Sequence, residues 1–260
     1  MLLYEHPLSP YAQKVKIALR EKGVAFDVET PQAIGSGNSA GLFAAASPRR
    51  EVPTLIDGDT HVFDSTIILE YIEDKFPSPP LLPRDPADRA NARMIEEICD
   101  TLYEAINWGL TEIRWFKRAE GEQAEKMRAT AARQTAELQN WLTQKLGPRS
   151  WFNGDTFGWA DIAAAPYVNR SFINGMGTAG GSPLALWHER LCQRPSVAAT
   201  FAESQAATNV LANAAERVAS GAMRREYRDH RLEWMMKSGG AQIVLDGLAN
   251  NNIRFTWPLG

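Results

Sequence analysis

The apolar positions change their spacing once along the chain, and that change divides it. Near the start, Leu2, Leu3 and Tyr4 form a short apolar run, and a turn with two prolines follows. Ala12, Val15, Ala18 and Leu19 then recur at helical intervals, with Lys14, Lys16, Arg20 and Glu21 on the other face. The pattern predicts a buried strand and an amphipathic helix whose charged face is outside. Pro10 suits the first helical position, because its missing N–H has no intrahelical partner there. Ser9 is then the N-cap and Gly23 the stop. A hydroxyl at that place either caps the helix or holds an anion at the positive end of its dipole. Val24, Phe26 and Val28 alternate with Ala25, Asp27 and Glu29, which predicts a strand with one covered face.

Residues 31–47 are rich in Gly, Ala and Ser and predict only a short helix around Leu42 to Ala46. Gly35, Gly37 and Gly41 resemble a dinucleotide fingerprint, but the last interval is one residue too long and no strong helix opens there. Val52 to Ile56 reads as a strand, Asp57-Gly58 as a hairpin turn and His61-Val62-Phe63 as the return. Pro53 cannot donate to a ladder, so this is an edge or the bond before Pro53 is cis. Asp64 and Ser65 open a helix that buries Ile68, Leu69 and Ile72 and ends at Phe76-Pro77. The expected unit is a small mixed sheet with helices on it.

Beyond the Pro-rich stretch Pro77 to Pro86 the period becomes helical throughout. Met94, Ile95, Ile98, Leu102, Ile106, Leu110 and Ile113 describe one long helix from Asp85 to about Lys117. A second runs from Glu122 to Leu146, with Met127, Ala131, Leu138, Trp141 and Leu142 inward and Gly147-Pro148 as its end. A third starts near Gly158, where Asp161 supplies half of a capping box. Shorter helices occupy 183 to 193 and 195 to 207. A further helix is expected from Val210 to Lys237. It carries Arg224, Arg228 and Arg231 on one face with Glu226, Asp229 and Glu233 between them, so the face is expected to be solvated and self-paired. Trp234, Met235, Met236, Ile243, Val244, Leu245, Phe255 and Trp257 are many apolar residues to leave in water. The segment 208–260 is therefore expected to pack on the body, as a cover over the cleft or as a strap on the back of the bundle.

Hydrophobic residues make up 44% and charged residues 23%, ordinary for a globular protein with a core. The net charge of −3 gives no basic field for nucleic acid or an anionic membrane surface. Glu5 and His6 interrupt the first apolar residues, so no signal peptide is expected, and no apolar run approaches the ~20 residues of a membrane span. Cys99 and Cys192 lack CxxC spacing, which fits a reducing, cytoplasmic setting. His6, His61, His188 and His230 share no metal-ligand spacing, and no metal site is expected.

Four motifs in order carry a resemblance: Ser9-Pro10-Tyr11 before a basic helix, Val52-Pro53 opening a strand, Asp64-Ser65 capping a helix, and Trp159-Ala160-Asp161. Over about residues 1 to 207 the chain resembles the cytosolic glutathione transferases, of serine type and tau-like at its N-terminus. Phe157 to Ala160 and the long tail also look like bacterial glutathione-dependent enzymes of aromatic degradation, some of which carry cysteine where this chain has Ser9. The resemblance implies an α/β thioredoxin-like domain over 1–78 and an all-α helical bundle over 86–207, with 208–260 as an extension. It implies a cytoplasmic detoxification enzyme, a homodimer, whose partners are glutathione and a small hydrophobic electrophile. The alternatives are a binding protein of the same fold without catalysis, and a glutathione-dependent ether lyase.

By the same resemblance, Ser9 stabilises the glutathione thiolate, Val52 and Pro53 pair with the cysteinyl backbone, and Asp64 and Ser65 meet the γ-glutamyl end. Tyr11 and Trp108 face the electrophile. The family often meets the glycyl carboxylate with a basic residue before the Val-Pro strand. Residues 31–48 have none, which leaves Arg49 and Arg50 nearest, and Arg50 replaces a frequent glycine.

Overall fold

The computed structural model describes residues 1–32, 34 and 41–255. The N-terminal unit runs β1 (Leu2–Tyr4), α1 (Pro10–Glu21), β2 (Asp27–Glu29), α2 (Gly41–Ala46), β3 (Thr54–Asp57), β4 (Thr60–Phe63) and α3 (Ser65–Lys75). Its sheet has the order β2-β1-β3-β4, with β1 parallel to β2 and antiparallel to β3. Leu3 and Leu55 from the sheet meet Val15 and Leu19 of α1 and Ile68 and Ile72 of α3 in a buried core. Of the alternating residues before and in β2, Val24 and Phe26 pack on this core but Val28 is 51% exposed. The expected covered face therefore stops at the strand, because β2 is the sheet's edge. Gly35 and Gly37 lie outside the described residues.

The helical part comprises α4 (Pro86–Ile98), α5 (Glu104–Arg114), α6 (Gly121–Leu146), α7 (Trp159–Ile173), α8 (Pro183–Gln193) and α9 (Pro195–Ala206). A π-helical turn, Cys99–Tyr103, joins α4 to α5, so the long helix read from the spacing is continuous in course but locally widened. Asp161 does what half a capping box allows: it accepts from the Gly158 N–H at 3.0 Å, and also from Phe152 N and Trp187 Nε1. The two parts share a core, in which Ile17, Ala18 and Leu69 meet Tyr103, Trp159 and Tyr167.

The charged face of α1 is not outside. Lys14 and Lys16 are buried, because α1 packs against α7 and α9. Lys14 Nζ lies 2.7 Å from Glu96 and also binds Asp100, while Lys16 binds Glu5 at 3.2 Å and Glu203 at 2.6 Å. Buried charges persist only when paired in this way.

The tail departs furthest from its expected form. In place of one helix it has a 3-10 turn (Ala207–Leu211), α10 (Ala214–Ala219), β5 (Arg225–Glu226), α11 (Asp229–Ser238), α12 (Ala241–Ala249) and β6 (Ile253–Arg254). Gly221, at φ 75°, turns the chain between α10 and β5, and β5 pairs in parallel with β6. Trp234, Met235, Ile243 and Val244 are buried against α5 and α6, whereas Met236, Leu245 and Phe255 stay exposed. Trp257 lies outside the described residues. The Trp234 ring lies on Gly109 of α5, where a Cβ would come within 2.1 Å of it. Arg228 and Arg231 are neither solvated nor self-paired: they reach Glu51 of the N-terminal unit and Glu104 of α5. Among the described residues no helix is long and apolar enough to cross a membrane.

Candidate functional site

The head of α1 opens onto the cleft between the two parts. Ser9 caps it, its Oγ accepting from the Ala12 N–H at 3.3 Å, which leaves the hydroxyl hydrogen for another acceptor. Tyr11, two residues further, donates its OH to the Asp100 carbonyl at 2.8 Å. That carbonyl belongs to the π turn. Burial, together with the Glu104 carboxylate, pushes the Tyr11 phenol well up.

Across the cleft the Val52–Pro53 bond is cis, and the ladder of β3 begins only at Thr54. Arg50 has a left-handed φ of 53°, the conformation that glycine adopts without steric cost. Asp64, at φ 73°, caps α3 by accepting from Thr66 N at 3.0 Å and Ile67 N at 3.5 Å. Ser65 beside it is buried.

Val52, Pro53, Asp64, Ser65 and Tyr11 line one pocket. Ser9, Arg50 and Trp108 line an adjoining cavity of about 300 Å³, to which Tyr11 and Val52 also contribute. The structure thus brings all the expected residues to one continuous cleft. Trp108, 9% exposed, is a wall rather than a surface residue. Phe116 also lines this cavity and packs on Ala214 and Val218 of the tail. Cys99 is packed, and burial pushes its thiol up. Among the described residues no cluster of His, Cys, Asp or Glu is arranged to hold a metal ion.

Sequence reasoning missed the tail's share. Arg228 lines both pocket and cavity and pairs with Glu51. Burial opposes ionisation of Glu51, but hydrogen bonding with Glu226 and the charges of Arg228 and Arg49 keep its carboxyl low. Arg231 binds Glu104 at 2.6 Å, and His230 Nε2 lies 3.0 Å from the same carboxylate. Against the burial penalty, these partners bring Glu104 down to about 2. Arg225 pairs with the buried Glu112 at 2.5 Å, and its guanidinium lies over the rings of Phe116 and Trp108 at 3.7 and 4.8 Å. The signal was present in the spacing of Arg224, Arg228 and Arg231, but their partners lie in other elements.

Residues 3–80 match the model of the glutathione S-transferase N-terminal domain and residues 97–195 that of its C-terminal domain. Glutathione S-transferase U28 of Arabidopsis thaliana is 32% identical over 206 residues, 76% of this chain and 86% of the relative. A Stringent starvation protein A homolog of Coxiella burnetii is 27% identical, over 79% and 93% of the two chains. Among solved structures, a rice enzyme in complex with glutathione superposes with a TM-score of 0.67 at 27% identity, over 83% and 96% of the chains. The Tau class glutathione S-transferase of mango has the same score and coverage at 25% identity. With both family domains matched in order on a thioredoxin-like sheet and a helical bundle, the chain belongs to the glutathione S-transferase family and is a glutathione transferase.

Proposed function

We propose that the enzyme joins the glutathione thiolate, stabilised by Ser9, to a small electrophile held against Trp108 and Tyr11. The observation that carries this reading is the meeting of Ser9, Val52-Pro53 and Asp64-Ser65 in one cleft, at the heads of α1 and α3. Both heads favour anions through unpaired N–H groups and the helix dipole. A free thiol has a pKa near about 8.5, and each unit of depression takes about 1.4 kcal/mol of preference for the charged form. A hydroxyl that accepts from Ala12 N and donates to sulfur supplies part of it, as an oxyanion donor does. Tyr11 does not compete for that role, since its hydroxyl is committed to Asp100. The γ-glutamyl end lies at Asp64 and Ser65, the cysteinyl backbone along the unladdered Val52, and the glycyl carboxylate towards Arg49 and Arg50. The thiolate sulfur bonds to the electrophilic carbon, and the leaving group departs with its electron pair.

The exposed Met94 and Leu102 of the α4–α5 course, with Ile67 of α3, support a homodimer that covers them. A cytoplasmic setting agrees with the free thiols of Cys99 and Cys192, and conjugation of an electrophile is a detoxifying reaction.

Ser9→Ala is expected to lower kcat by a factor of ~10 to 10³ while leaving the KM for glutathione nearly unchanged. Ser9→Cys is expected to gain disulfide exchange with glutathione. Steady-state kinetics with an aryl halide decide the matter: full activity in the Ala variant moves the catalytic role elsewhere. Retention on immobilised glutathione without turnover of any electrophile would favour a binding role instead, as the relative named for stringent starvation, not for transfer, suggests.

A further inference from the structure

The cavity beside Ser9 is lined by more arginines than carboxylates. Seven arginines line it among the described residues, against Glu51, Glu104 and Glu226. Each of these glutamates is engaged: Glu51 by Arg49 and Arg228, Glu104 by Arg231 and His230, Glu226 by Arg254. Arg225 draws on Glu112.

Arg170 differs from these four paired arginines. It stands on α7 and lines both this cavity and a smaller one of about 90 Å³, which Leu8, Pro10 and Trp108 also line. Among the described residues it has no carboxylate partner. Its hydrogen bond is from Nη2 to the Leu8 carbonyl at 3.4 Å, at the long limit for such a bond. Burial and the charge of Arg114 both act against its ionised form. Glu104 lines the same two cavities, yet its Oε1 is taken by Arg231 Nη2 at 2.6 Å and its Oε2 by His230 and Arg231 Nε. A guanidinium stays charged in any protein setting, and its planar fork of donors matches the two oxygens of a carboxylate. Arg170 therefore offers that fork inside a concave site, held at the carbonyl of Leu8, the residue before Ser9, in cavities that Trp108 also lines.

We propose that the electrophile this enzyme takes carries a carboxylate bound by Arg170, with its apolar body against Trp108 and its reacting carbon towards Ser9. The inference rests on the reading of this cleft as the transferase site, and it narrows the small hydrophobic electrophile to an anionic one.

Two measurements on the full chain test it. Calorimetric titration in the presence of glutathione compares dinitrobenzoate with its methyl ester, neither of which has a leaving group. Turnover compares chlorodinitrobenzoate with its methyl ester, each corrected for its uncatalysed reaction with glutathione; the sulfur bonds to the ring carbon and chloride leaves with the bonding pair. The wild type is expected to bind and turn over the acid at least about tenfold better than the ester, as loss of a buried charge partner implies. Arg170→Met is expected to bring that ratio to within about twofold, and Arg170→Lys, which keeps the charge but not the fork, to an intermediate value. Melting curves establish that the variants are folded, and the Lys variant carries the test if the Met variant is not. A wild type that does not prefer the acid, or a preference that survives Arg170→Met, overturns the proposal. Turnover of the ester without preference overturns it while the Ser9 reading stands. Acid-selective binding that depends on Arg170 without any turnover leaves the anion site standing and removes the transferase reading of it.

Discussion

The N-terminal unit and the tail both line the same cleft, and they are held in place by different physics. The sheet stands on Leu3, Val15, Leu19, Leu55, Ile68 and Ile72, all without solvent exposure. Burying such side chains is worth ~1.5–3 kcal/mol each and involves no titrating group. The tail buries apolar side chains too, Tyr227, Trp234, Met235 and Ile243 among them, but it is tied in addition by guanidinium–carboxylate pairs: Arg225 to Glu112, Arg228 to Glu51 and Arg231 to Glu104. One wall of the site is therefore rigid under conditions that loosen the other. An element that rests partly on ion pairs can open locally below the global free energy of unfolding when acid removes them, which suits a wall that a substrate must pass.

The sharpest way to break this comparison is through Glu104. Its folded pKa, about 2 against an ordinary 4.5, is depressed. A depressed carboxylate contributes stability that is present above about pH 4.5 and lost as the pH falls towards 2, to the order of 3 kcal/mol. Amide exchange over α11, corrected for intrinsic rates, is expected to quicken through that acid window before β1 and β3 respond. Glu104→Gln leaves Arg231 buried without its anion, which costs ~3–5 kcal/mol, and should give the quick exchange already at neutral pH. Sheet and tail opening together at every pH would show that the two walls are one cooperative unit.

Gly109 offers a smaller perturbation without any charge. In an open helix Gly→Ala gains up to ~1 kcal/mol of propensity. Here the added Cβ would meet the Trp234 ring at 2.1 Å, and overpacking of this kind costs ~1–3 kcal/mol. Gly109→Ala is expected to speed proteolysis within residues 220–255 and to break the Trp234 Nε1 bond to Gln134, 2.7 Å in the native protein. An unchanged cleavage rate would mean that Trp234 is not the tail's anchor.

The same contrast explains what could be read from residues alone. Ser9 and Asp64 were legible because a cap is a local matter, satisfied within three residues by Ala12 N and by Thr66 and Ile67 N. The apolar face of α1 was legible for the same reason. Lys14 was placed outside because its partners, Glu96 and Asp100, are 82 and 86 positions away. Arg228 was read as self-paired for want of Glu51, 177 positions away. A charge run looks alike whether it faces water or another element; only the fold supplies the opposing carboxylates. Arg170 carried no signal at all, since its interest lies in having no such partner.

The finest test concerns an ion pair that joins the two walls directly. Arg228 and Glu51 are both mostly shielded but not fully buried, so their coupling should be modest, about 0.5–1 kcal/mol. A double-mutant cycle with Arg228→Ala and Glu51→Gln, read by exchange of the 225–228 amides, is expected to return that coupling at low salt and less of it at higher ionic strength. Kinetics add the discriminating half. If the pair acts only as a clasp, each single variant should change the KM for glutathione equally and by less than about twofold, and the double variant should be no worse than either, because the clasp is already open. Arg228 also lines the pocket with Val52, Asp64 and Ser65. A glutathione KM that rises with Arg228→Ala but not with Glu51→Gln would show that this guanidinium reaches the tripeptide itself, and that the tail belongs to the binding site as well as to its cover.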